Sequence, residues 1–190
     1  MDNKTETLKF DLKEIYDYIG YAFKSDVLCI AAFIDPSFYG SEFRDKTDVN
    51  KKYHVKNRNW VLAQYGDLAI YGILGKLIGT YTYSKGSSID KEYSFDYSVG
   101  KLTKIRNNLS EDKTFDQAIK RIGYDKYLIK GDTKIGKKTY ANIFEGLVGA
   151  VAIDSNWNYN TILNVYKKLN VNYKDYLPKK EVKNLILQIK

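Results

Sequence analysis

The 190-residue sequence predicts an all-α fold. Two apolar segments, Asn59 to Tyr83 and Thr139 to Ile153, are longer than ordinary strands and are bounded by charges at Arg58, Lys138 and Asp154. Leu12, Ile15, Tyr16 and Ile19 recur at helical spacing. No run shows the sustained alternation of a strand, and neither a repeat nor a low-complexity segment interrupts the chain.

In chain order, Leu8 to Phe23 reads as a helix broken at Gly20, and Val27 to Phe33 as a second, stopped by Asp35-Pro36 because a residue before proline is pushed out of the α region. Ser37 to Asn57 is polar and mixed in charge, which predicts an exposed loop with one helical turn. It carries the one histidine, His54, with no Ser, Cys or second His patterned around it. The central helix follows. Its glycines, Gly66, Gly72, Gly75 and Gly79, each cost up to about 1 kcal/mol against Ala, which close helix-to-helix approach would repay. Ser84 to Ser98 is a loop. Gly100 to Leu109 and Lys113 to Gly123 are amphipathic helices, the latter capped by Gly123. Tyr124 to Lys138 is a Lys-rich connection. After the apolar helix from Thr139, Asn156 to Lys168 starts another with Leu163, Val165, Tyr166 and Leu169 on its core face. Beyond Tyr166 seven lysines face two acids, a net +5, and Pro178 can open a last helix.

One domain is expected over residues 1–169, with a basic, helical extension at 170–190. The net charge of +8 favours an anionic partner such as nucleic acid. The single Cys29, in the apolar run VLCIAAFI, reads as a small core residue, which excludes an internal disulfide and a thiolate zinc site. An intracellular, reducing location, cytoplasmic or nuclear, is expected. No basic region followed by an apolar one opens the chain, and no run is expected to reach bilayer length, so no membrane association is predicted.

Each apolar helix carries one charge where a core helix should carry none. Between Arg58 and Lys76 it is Asp67; between Lys138 and Asp154 it is Glu145. A lone buried carboxylate is costly unless it is paired or bound to metal, so these two are the first candidates for chemistry. The alternative is a buried ion pair with an arginine such as Arg106.

Several segments stand in a telling order. They are Gly20-Tyr21-Ala22-Phe23-Lys24, Asn59-Trp60-Val61-Leu62-Ala63-Gln64-Tyr65-Gly66-Asp67, Gly100-Lys101-Leu102-Thr103-Lys104-Ile105-Arg106, Ile122-Gly123-Tyr124-Asp125-Lys126-Tyr127-Leu128 and Asn142-Ile143-Phe144-Glu145-Gly146-Leu147-Val148-Gly149-Ala150. In order and spacing they resemble the ribonuclease III catalytic domain over about residues 14–169. The second is similar to the family signature at Asn59, Leu62, Gly66 and Asp67. The last is similar to the family's second acidic helix at Glu145. The Ile34 to Phe38 segment resembles the family's Thr-His-x-Ser-Tyr mark only at Ser37 and the aromatic.

The resemblance implies a ribonuclease III endonuclease fold, a symmetric dimer and hydrolysis of double-stranded RNA to 5′-phosphate and 3′-hydroxyl ends, for RNA processing or silencing. Magnesium is the implied cofactor, with manganese as a substitute. Asp67, Glu145 and Asn142 are the implied catalytic and metal-binding residues; Gln64 and Tyr65 fall at the dimer interface. Lys104, Arg106, Lys137 and Lys138 are the expected contacts to RNA phosphates and 2′-hydroxyls. The departures fall on the site. Ala63 and Asn142 stand where the family has acids, Trp60 replaces the signature's first Glu, and Gln64 replaces the Phe that inserts into the partner. Half the usual negative charge is missing, which predicts weaker metal affinity and slower turnover. No double-stranded-RNA-binding module is expected after Leu169. The rival reading is a ribonuclease III-like protein that binds RNA or sits in a ribonucleoprotein without catalysis. An unrelated all-α DNA-binding protein would need a recognition helix, which the sequence does not show.

Overall fold

In the computed structural model, residues 5–85, 93–95 and 97–178 are described. The segment from Lys179 on, including the helix expected after Pro178, and most of the predicted Ser84 to Ser98 loop lie outside them.

The fold is mostly helical and is built around one buried helix. It contains α1 (Leu12–Ile19), α2 (Asp26–Ala32), α3 (Asn59–Thr82), α4 (Val99–Ser110), α5 (Asp112–Arg121), α6 (Thr139–Asp154) and α7 (Tyr159–Leu169). Single 3-10 turns follow α5 and α7, at Tyr124–Tyr127 and Tyr173–Tyr176. Helix α6 is buried along nearly its whole length because α3, α5, α2 and α7 pack around it. A surface helix would show one polar face; α6 shows none, and so fills the centre.

Local chemistry sets the boundaries. Asp11 accepts from the Lys13 amide and starts α1, and Gly20, at φ 68°, ends it by donating its amide to Tyr16. Gly123, at φ 73°, follows α5 in the same left-handed conformation, as predicted for the end of that helix. Asn158 caps α7 through Thr161. Its inner face is Ile162, Val165, Tyr166 and Leu169, with Leu163 half-buried. Residues 170–178 stay on the body: Asn170 and Leu177 are buried.

The expectation of no strand is corrected. Strands β1 (Thr5–Thr7), β2 (Glu42–Arg44) and β3 (Lys52–His54) form a small sheet in that order, β1 parallel and β3 antiparallel to β2. Strands β4 (Tyr83–Lys85) and β5 (Tyr93–Phe95) pair antiparallel after α3. Each has three residues, too short for alternation to be visible in sequence. The predicted exposed loop from Ser37 to Asn57 is therefore a packed flap. Phe43 and Tyr53 face each other across β2 and β3, and both are buried with Phe38 and Val55. Buried Asp45 holds the turn by accepting from the Thr47 amide, the Thr47 hydroxyl and Tyr53. Although burial opposes its ionisation, those bonds bring its pKa down to about 2.

Asp154, the last residue of α6, is 8% exposed and accepts from Tyr21 Oη (2.7 Å), the Lys24 amide (2.8 Å) and the Ser25 amide (3.1 Å). Ser25 gives α2 no side-chain cap of its own; Asp154 instead holds, from across the fold, the two backbone amides that lead into the helix. Asp154→Ala is expected to lower stability by about 2 kcal/mol in urea denaturation, because three donors lose a charged acceptor. A loss near zero would mean that water replaces the carboxylate freely.

Candidate active site

The site arises where α3 and α6 cross. Gly66 lies against the Glu145 carbonyl, and Gly149 against the Leu62 carbonyl and the Gly66 amide; a Cβ at either glycine would land on backbone. This contact is the close approach the sequence predicted, and it sets Asp67 beside Glu145. Asp67 is half-buried and Glu145 is 6% exposed.

The two carboxyl groups hydrogen-bond to each other. Burial, then the charges of Asp67 and Asp112, push Glu145 up to about 8. Burial also raises Asp67, while Lys138 pulls both acids down. Near neutral pH, Glu145 therefore keeps its proton and donates it to the Asp67 carboxylate.

Asp112, the first residue of α5, is not among the residues the sequence singles out; the sequence places it between the helices ending at Leu109 and beginning at Lys113. It ion-pairs with Lys138 at 2.8 Å, just before α6. The Phe115 and Phe144 rings stack at 4.1 Å and 8°, holding α5 on α6 and bringing the Asp112–Lys138 pair to the carboxylates. No spacing in the sequence could reveal this, because the residues come from separate helices and meet only through the fold.

Other predicted residues divide into groups. Asn142 is half-buried on α6, one turn before Glu145. Ala63 is 2% exposed, so the packing that accepts a methyl there leaves an acid no route to water. Lys137 and Lys138 are exposed at the start of α6, whereas Lys104 and Arg106 are exposed on α4. Arg106 donates to Asn107 Oδ1 and lines a groove between α3 and α4, so the cation beside the carboxylates is Lys138 and not Arg106. Gln64 and Tyr65 are exposed on α3.

Among the described residues no group of three or more His, Cys, Asp or Glu is gathered to hold a metal. The site offers two carboxylates that share a proton, with the Asn142 amide nearby in sequence. Such a pair fits a small divalent cation, since the cation can replace the shared proton and relieve the repulsion that raises Glu145. Two acids predict a loosely held ion.

The site is thus a carboxylate pair where α3 crosses the buried helix α6 in a helical domain. No family model matches the chain. It is 28% identical over 172 residues to Ribonuclease 3 of Roseburia hominis, covering 80% of this chain and 44% of that protein. It is 26% identical over 166 residues to Ribonuclease 3 of Treponema succinifaciens, covering 84% and 41%. The chain thus spans less than half the length of these two curated relatives. Among solved structures, the ribonuclease III nuclease domain of Campylobacter jejuni aligns with a TM-score of 0.59 at 16% identity, over 84% of this chain and 94% of that one. A second structure of that domain, characterised by flexibility in a region involved in dimer formation, gives 0.60 at 17%, over 85% and 99%. The fold is that of a ribonuclease III nuclease domain. Together the relatives and the fold support a ribonuclease III family catalytic domain.

Proposed function

We propose that the chain is a metal-dependent endoribonuclease that hydrolyses double-stranded RNA as a homodimer inside the cell, in RNA processing or silencing. The observation that carries this reading is the Asp67–Glu145 pair, two carboxyl groups set side by side where α3 and α6 cross in a ribonuclease III fold. Asp67, Glu145 and the Asn142 amide oxygen are the residues that would hold magnesium or manganese. When bound, such an ion supplies Lewis-acid polarisation of a phosphodiester oxygen and a water of lowered pKa. The chain's own part is to keep both acids in register through the Gly66 and Gly149 contacts and to give up the Glu145 proton. Lys138, fixed by Asp112, offers a positive charge to the RNA backbone beside the acids. Lys104, Arg106 and Lys137 are further candidates for phosphate contact.

A second reading is favoured by Ala63, buried where the ribonuclease III signature has an acid, and by the absence among the described residues of three acids placed to hold one metal ion: a ribonuclease III fold that binds RNA without cutting it. Labelled RNA duplex incubated with magnesium, with manganese and with chelator separates the two. Metal-dependent 5′-phosphate products, absent with Asp67→Asn, are the expected result. Intact RNA in every condition, with the duplex still shifted in a gel, would leave the binding reading in front.

A further inference from the structure

Between α3 and α4 lies a groove of about 480 Å³ whose lining includes neither Asp67 nor Glu145. Its α3 wall runs from Tyr71 to Thr82 and its α4 wall from Val99 to Arg106, each supplying positions three and four residues apart, so one face of each helix is turned to the groove. Leu74 and Ile78 are buried at its base, while Tyr71 and Val99 are exposed at its rim. It stays open at Gly75, where a Cβ would meet nothing within 4 Å, and the same holds for Gly72. The close approach predicted for these two glycines is therefore not made inside the chain, although glycine in an exposed helix weakens it. By length and composition α3 is also apolar enough to cross a bilayer, against the expectation that no run would be, with 44% of its most apolar stretch buried in this fold. Neither wall carries an acid. Between Tyr71 and Thr82 the one charge is Lys76, and α4 holds Lys101, Lys104 and Arg106.

We propose that this groove is a binding site for a small amphipathic anion, a carboxylate with a medium-length alkyl chain, the chain lying over Leu74, Ile78 and Leu102 and the carboxylate on Arg106. The proposal goes beyond the nuclease reading and does not depend on it. A cleft of about 300–1,000 Å³, mostly apolar with a few converging polar groups, is the usual form of a small-ligand site. Thr103 and Arg106 are such groups here, one turn apart on the α4 wall. Arg106 is exposed, its Nε and Nη2 donate to the neutral Asn107, and no acid of α4 offsets its charge. A guanidinium binds a carboxylate through two parallel hydrogen bonds, and a threonine hydroxyl can donate a third. An RNA phosphate would satisfy Arg106 but leave the apolar base facing water. A neutral hydrophobe would cover the base but leave the guanidinium unpaired. An alkyl carboxylate meets both demands, and that complementarity selects it.

Titration calorimetry of the full chain with sodium decanoate, kept below its micelle concentration, tests the site. Decanoate is expected to bind once per chain. Octanoate is expected to bind about tenfold more weakly, because two fewer methylenes are buried. Decyltrimethylammonium, of the same chain length and opposite charge, is expected not to bind. Arg106→Gln should weaken decanoate by about tenfold or more through loss of the charge-assisted bonds. Gly75→Leu, which fills the groove from a position where a side chain meets nothing in the chain, should abolish binding, with circular dichroism establishing that both variants fold. Lys52→Gln on the exposed flap should change nothing. A wild-type chain that takes up no decanoate overturns the proposal. So does binding that is equal for octanoate, that the cation matches, or that neither groove variant alters. A groove closed by a second copy, seen in light scattering as a dimer that takes up no decanoate, overturns it too, as does uptake only in the presence of phosphatidylcholine vesicles. RNA cleavage enters none of these readouts, so failure of the nuclease reading leaves the site standing, and the reverse.

Discussion

Gly149→Ala and Gly66→Ala are each expected to lower stability by about 3 kcal/mol or more, at or beyond the top of the usual overpacking range. A Cβ at 149 lands on the Leu62 carbonyl and crowds the Gly66 amide, and a Cβ at 66 lands on the Glu145 carbonyl. Backbone cannot turn aside as a flexible side chain can, so the helices must separate. Separation opens the contact around which the core is packed and draws Asp67 away from Glu145. Gly72→Ala and Gly75→Ala on the same helix are the controls: the added methyl meets nothing in the chain, and helix propensity predicts a gain of up to about 1 kcal/mol for the monomer. Urea denaturation of the four variants decides the matter. Equal effects at all four sites would mean that α3 and α6 do not cross as described.

That contrast also shows what the sequence could reveal. Four glycines in one apolar helix suggested close packing, yet only the structure separates Gly66, which faces α6, from Gly72 and Gly75, which face outward. The helices were legible because their periods and breaks are local: Gly20 and Gly123 act within a turn of the ends they mark. Strands of three residues left no period to read, and Phe43 and Tyr53 looked like aromatics in a polar loop. The site was half legible. Asp67 and Glu145 stood out because charge is rare in buried helices. Asp112 stood among other polar residues, and only the stacking of Phe115 on Phe144 carries it to the site. Lys138, expected only as an RNA contact, sits in the field of both acids for the same reason.

Glu145→Gln is expected to reduce metal-dependent cleavage by at least about 100-fold, because the pair then keeps one carboxylate and can no longer exchange its proton for a cation. A pH signature accompanies the loss. Glu145 titrates near 4.5 in an unfolded chain and is held up to about 8 in the fold by burial and by the charges of Asp67 and Asp112. The folded state therefore binds this proton more tightly. Its contribution to stability is complete below about pH 4.5 and is lost as pH rises through 8. In chelator, the wild-type melting temperature should fall across that window more steeply than that of Glu145→Gln, which has no proton to lose there. Magnesium should recover more of the wild-type melting temperature at pH 8 than at pH 6, releasing a proton as it binds, and should do little for the variant. If Glu145→Gln cleaves RNA normally, or if the two proteins melt with the same pH dependence and the same response to magnesium, the paired carboxylates are not where the cation and the chemistry meet.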